Sequence, residues 1–156
     1  MKPATGYLRN GDELVIPRQV PLDPAEVWDA LTDPQRLSAW YGTWSGDPAS
    51  GRISITMVDG GDSYTNADVL VCQPGREFQL RFHGAYQWHI GVEIDAADGA
   101  TALRLVHYFE GADMDPSIGP GWEYYLDSFL AAETGGEAVT FDDYFPAQAE
   151  YYSALS

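Results

Sequence analysis

Two helical brackets enclose a long block of strands, and that order constrains this chain more than anything in its composition. At the front, Asp23 stands before Pro24, an N-cap followed by a residue that needs no N–H in a first helical turn. Val27, Trp28 and Leu31 then recur on one helical face. Thr32-Asp33-Pro34 closes that helix and starts a second, from which Leu37, Trp40 and Tyr41 turn inward together. At the back, Trp122, Leu126, Phe129 and Leu130 form the apolar stripe of a helix predicted from about Gly121 to Thr134. Glu123, Asp127 and Ser128 are expected on its wet side, and Gly135-Gly136 ends it.

Between the brackets the period changes from helical to alternating. Glu13 to Val20 reads as a first strand with Leu14, Ile16 and Arg18 on one side; Pro17 demands an edge or a bulge there. Gly42 to Gly51 reads as loop. Five strands follow, Arg52 to Asp59, Tyr64 to Cys72, Arg76 to His83, Gln87 to Asp95 and Thr101 to Glu110, with a turn at Asp59–Asp62. Their apolar sets fix a register, because a slip of one residue inverts every side chain. Phe82 then faces Trp88, Leu80 faces Ile90, Ile90 also faces His107, and Ile94 faces Leu103 across an Asp98-Gly99 turn. The result is an antiparallel meander with one dry and one wet face.

The expected fold is α+β: a curved antiparallel sheet of about six strands around a long C-terminal helix, with two short helices after the first strand. At 156 residues it reads as one domain, 1–156, with a core at about 13–135 and a C-terminal extension at 137–156. That extension is acidic and aromatic, and Phe141, Tyr144, Phe145, Tyr151, Tyr152 and Leu155 could pack there as a short outer helix.

Charge excludes partners more than it names them. The chain carries 24 Asp and Glu against 8 Lys and Arg, a formal charge of -16, so nucleic acid and anionic membrane surfaces are repelled. Cys72 is alone, which rules out an intramolecular disulfide and a multi-cysteine metal site. The first ten residues lack the apolar core of a signal peptide, and no apolar run is long enough to span a bilayer; a cytoplasmic location is the expectation, with no membrane insertion.

The segment Pro24-Ala25-Glu26-Val27-Trp28-Asp29-Ala30-Leu31-Thr32-Asp33-Pro34, with Leu37, Trp40 and Gly42, resembles the opening motif of the SRPBCC superfamily, the START-like, helix-grip proteins. The Thr101–His107 strand and the Gly121-Trp122 helix with Leu126 are similar to its branch named after activators of the heat-shock chaperone ATPase. The resemblance covers about residues 13–135 and implies a shape and a hydrophobic cavity rather than a catalytic constellation. It also implies no cofactor, and the branch's name does not carry an activity to this chain.

The cavity expected between sheet and long helix defines the candidate site. Trp40, Tyr41, Trp44, Trp88, Trp122 and Phe129 would make its walls and mouth, with Leu126 beside them. Phe78, Leu80, Ile90, Leu105, His107 and Phe109 share the dry face of the sheet. Rings at this density, 13% of the chain, can line a pocket or simply fill a core. His107 is the polar exception; burial would keep it neutral, able to donate to a ligand's carbonyl or hydroxyl, or else satisfied within the protein. His83 and His89 fall on the wet face, Arg81 opposite His89, so no metal triad forms. Cys72 is expected on the face opposite Val69 and Val71, without a base beside it.

The function expected is non-catalytic binding of a small hydrophobic, aromatic or lipid-like molecule. One alternative is a polyketide cyclase or aromatase, with His107 and either Tyr108 or Tyr41 shuttling protons. Another is a protein-interaction module, in which the aromatic tail is buried in a second copy of the chain as a homodimer. The loop from Ala112 to Gly119, carrying Asp113 and Asp115, could act as a gate over the cavity.

Overall fold

The computed structural model describes residues 3–57, 64–84, 87–112 and 114–155. The predicted turn at Asp59–Asp62 and the loop residue Asp113 lie outside the described residues. Strands β1 (Tyr7–Arg9) and β2 (Glu13–Val20) lead into helices α1 (Pro24–Thr32) and α2 (Pro34–Leu37). Then come β3 (Gly42–Asp47), β4 (Arg52–Met57), β5 (Thr65–Gln73), β6 (Glu77–Phe82), β7 (His89–Ala97) and β8 (Ala100–Tyr108). Helix α3 spans Ile118–Thr134 and a short α4 spans Ala149–Leu155.

Local chemistry explains the starts and stops. Asp23 accepts from the Glu26 N–H at 2.9 Å, and Asp33 accepts from the Gln35 N–H at 2.9 Å while ending α1, so one aspartate serves two helices. Gly135 leaves α3 in the left-handed conformation, its N–H bonded to the Ala131 carbonyl.

All strands join one antiparallel sheet in the order β1-β2-β8-β7-β6-β5-β4-β3. Among the described residues the sheet therefore has eight strands rather than about six. One extra strand is β1, which folds back on β2 through Asn10 and Gly11, both at positive φ. The other is β3, where a loop was expected; Trp44 faces inward between exposed Thr43 and Ser45, and pairing with β4 overrides a glycine-rich, polar composition. Beyond the three residues paired with β1, β2 has β8 on one side only, which is where Pro17 sits.

The inferred registers hold. Leu80 pairs with Ile90, Arg81 with His89, Ile90 with His107 and Ile94 with Leu103, and the Phe82 N–H donates to the Trp88 carbonyl. In β5 the register shifts between Val69 and Val71, a bulge that leaves Leu70 exposed. The extra residue reverses the alternation beyond it. Cys72 pairs with Phe78 and shares the inner side with Val69, a correction to the face expected from simple alternation.

Helix α3 crosses the concave side with Trp122, Leu126 and Phe129 buried. Its other side does not stay wet as its sequence suggests. Glu123 is 0% exposed and accepts from Thr5 N–H at 2.8 Å, Arg18 Nη2 at 2.9 Å and Tyr152 Oη at 2.6 Å, besides the Thr5 hydroxyl. Asp127 accepts from Arg18 Nε at 2.8 Å and Tyr144 Oη at 2.7 Å. The reason is the tail: residues 137–155 fold back over this side of α3 and bury Tyr144 and Tyr152 completely, leaving Phe141 and Tyr151 about two-fifths exposed. Each buried phenol needs an acceptor, and the two carboxylates supply them.

Candidate functional site

Two cavities open around Tyr41 and Trp122, whose stacked rings, 6.2 Å apart at 25°, belong to the walls of both. The first has a volume of about 350 Å³ and lies between the sheet, α1–α2 and α3. The sheet contributes Ile53 and Ile55, Phe78 and Leu80, and Ile90, Val92 and Leu105. The helices close it with Trp28, Leu31 and Leu37 from one side and Trp122 and Leu126 from the other. Trp40 and Trp44 complete the wall, Trp44 being anchored by its Nε1–H, which donates to the Thr32 carbonyl at 2.7 Å.

Side-chain polarity is scarce in this space. Thr32 gives its hydroxyl to the Trp28 carbonyl at 2.7 Å. Burial, then the neighbouring Tyr125, pushes the Tyr41 phenol far above its ordinary range, so it stays protonated. Cys72 is a free, exposed cysteine that also belongs to the wall.

The second cavity, of about 680 Å³, lies between the end of β8, the loop before α3 and the first turns of α3. Here the structure collects Trp88, His107 and Phe109, which therefore do not belong to the dry cavity. His107 is 2% exposed, and its Nδ1 accepts from Trp122 Nε1 at 3.0 Å. With Nδ1 accepting, the neutral ring carries its proton on Nε2. Burial, then the charge of His89, lowers its pKa to about 4, so the ring is neutral near pH 7.

Of the predicted site residues, Trp40, Tyr41, Trp44, Phe78, Leu80, Ile90, Leu105, Trp122 and Leu126 meet around the first cavity. Phe129 lines neither cavity; it is fully buried and packs 5.4 Å from the Trp40 ring. His107 and Tyr108, a pair named as proton shuttles, both border the second cavity, as does Tyr41, the alternative partner. Adjacent residues on β8 point to opposite faces, and Tyr108 stacks on His89, 4.1 Å away, on the outer one. That outer face holds His83 and His89 too, and among the described residues no three His, Cys, Asp or Glu converge. Sequence reading missed Ile53, Ile55, Leu31 and Val92 as cavity walls, although their alternation and helical spacing marked them as inward.

A curved antiparallel sheet with a long C-terminal helix, together with the family match, places the protein in the SRPBCC class. The family described as "Activator of Hsp90 ATPase homolog 1-like protein" matches residues 21–133, and the chain belongs to that family. Among solved structures, CalU16 from Micromonospora echinospora is similar, with 24% identity and a TM-score of 0.76 over 92% of this chain and 87% of that one. DynU16, a protein of the dynemicin biosynthetic locus, is 22% identical with a TM-score of 0.69, over 80% of this chain and 48% of that one. The Aha1 dimer from Colwellia psychrerythraea is 17% identical with a TM-score of 0.61, over 77% of this chain and 94% of that one. No curated protein matches the chain. Among the described residues, no helix is long and apolar enough to cross a membrane.

Proposed function

We propose that this chain binds a small apolar or aromatic molecule, without chemistry, in the cavity between α3 and the sheet. The observation that carries this is the cavity's wall: about 350 Å³ of space bounded almost wholly by aliphatic and aromatic side chains. At liquid density that volume equals about a dozen waters, each needing roughly two to four polar partners that this wall does not offer. An apolar occupant regains dispersion contacts that the empty space forfeits. The volume lies near the lower end of the range for ligand pockets, roughly 300–1,000 Å³, which favours a planar aromatic or short-chain lipid over a long acyl chain. Membership of a family built on this grip supports the same reading.

The test titrates the full chain with N-phenyl-1-naphthylamine, octanoate and palmitate while following tryptophan emission, since Trp28, Trp40 and Trp44 face the space. Saturable binding of the first two, lost in Leu80→Trp with the far-ultraviolet dichroism unchanged, is the expected outcome. No response from any of the three, or equal binding to the filled variant, would overturn the proposal.

A further inference from the structure

The second cavity has a chemistry of its own. Trp122 stands at its centre, with Trp88 at 6.1 Å, Tyr125 at 6.0 Å and Tyr41 at 6.2 Å between ring centroids. Phe109 adds a fifth ring by stacking on His107 at 4.5 Å. Tyr41 stacks on Trp122 and Phe109 on His107, so those faces cover each other; Trp88 and Tyr125 are the half-buried rings that offer apolar area and a negative face to the space. Two carboxylates, Glu110 and Asp115, join the wall, and among the described residues no Arg or Lys does.

The two carboxylates differ. Glu110 is balanced by Arg81 at 2.9 Å, outside the wall. Asp115 accepts only from Ser117, from its N–H at 2.8 Å and its hydroxyl at 2.7 Å, and no cationic side chain reaches it among the described residues. His107, the group in the wall that could become cationic, accepts from Trp122 at Nδ1 and stays neutral in its buried position. Among the described residues, the wall thus joins half-buried rings to a carboxylate that has no cationic partner, and holds no Arg or Lys.

We propose that this second cavity is a separate site for an organic cation, an alkyl- or arylammonium, held by the rings around Trp122 and counter-charged by Asp115. A desolvated quaternary ammonium against such rings is a recognition mode that neutral and anionic molecules of the same shape cannot use. The site adjoins the dry cavity across Tyr41 and Trp122 but differs from it in polarity, and the variants that test it, at Asp115 and Trp88, lie outside the dry cavity's wall.

The full chain is titrated with benzyltrimethylammonium, and with choline beside its uncharged isostere 3,3-dimethylbutan-1-ol, following backbone amide shifts at residues 107–125. The cations are expected to saturate and to bind at least about tenfold more tightly than the isostere. Asp115→Asn, an exposed substitution that leaves the packing alone, should weaken them by about three- to tenfold and flatten the dependence on salt. Trp88→Leu should weaken them about tenfold, with Trp88→Phe recovering part of the loss. Equal affinity for choline and the alcohol, or a wild-type isotherm in Asp115→Asn, overturns the proposal.

Discussion

The two sides of α3 solve opposite problems. On the inner side, Trp122 and Leu126 face a void; on the outer side, Glu123 accepts from Arg18 and Tyr152, and Asp127 from Arg18 and Tyr144. A helix that leaves space on one side must be held in place by something else. Here β2, through Arg18, and the tail, through Tyr144 and Tyr152, grip it from behind, and the N-terminal segment adds Thr5 and Gly6. Desolvation alone would depress the Arg18 guanidinium, yet Asp127 and Glu123 outweigh it and raise its pKa. The lesson is a division of labour: the outer side fixes the helix, and the inner side is thereby free to remain underpacked.

The sharpest way to break that comparison is Glu123→Ala, which leaves the Tyr152 hydroxyl and the Thr5 N–H without their acceptor and Arg18 with Asp127 as its one remaining carboxylate. It should cost about 3–5 kcal/mol in urea unfolding, well above the effect of a truncation on the cavity side such as Leu126→Val. A loss below about 1 kcal/mol would mean that the outer layer does not hold the helix.

Next comes a titration at the second cavity. His107 has a pKa of about 4 in the fold against 6.5 when unfolded, so the unfolded chain binds more protons between those values. Stability is therefore full above about pH 6.5 and falls as the pH drops through the window toward 4. Relative to His107→Gln, the wild type should lose on the order of 3 kcal/mol across it, read from unfolding at each pH. Parallel curves for the two proteins would show that the imidazole is not held neutral.

The smallest expected effect concerns the fit of the tail. A Cβ added at Gly119 would collide with the Tyr152 ring. Gly119→Ala should thus cost about 1–3 kcal/mol by overpacking, although alanine is the better helix former. An unchanged or raised melting temperature would mean that the tail lies loosely on α3.

Much of the fold is written in periodicity. The alternating residues of β6, β7 and β8 narrow their register, because a slip of one residue would take Phe78, Leu80, Ile90, Val92, Leu103 and Leu105 off their shared face, and the short turn between β7 and β8 selects among the pairings that remain. The hairpin joining β1 to β2 was not read, although Asn10-Gly11, a dipeptide suited to positive φ, marks its turn; only three residue pairs flank it. β3 was not legible, since its single inward ring, Trp44, gives no repeating pattern. The bulge at Leu70 was equally hidden; Val69-Leu70-Val71 alternates too little to show which residue is extra, and the position of Cys72 depends on it.

The sequence by itself determined the run from β2 to α2 and from β4 to α3, the dry face of the sheet and the apolar stripe of α3, because each depends on spacing along one segment. Tertiary structure alone decided that Glu123 is buried, that His107 accepts from Trp122, and that the aromatic residues divide between two cavities rather than surround one. Those outcomes depend on contacts between residues far apart in the chain, such as Thr5 with Glu123 or Gly6 with Tyr152, and no local pattern encodes whether such partners meet.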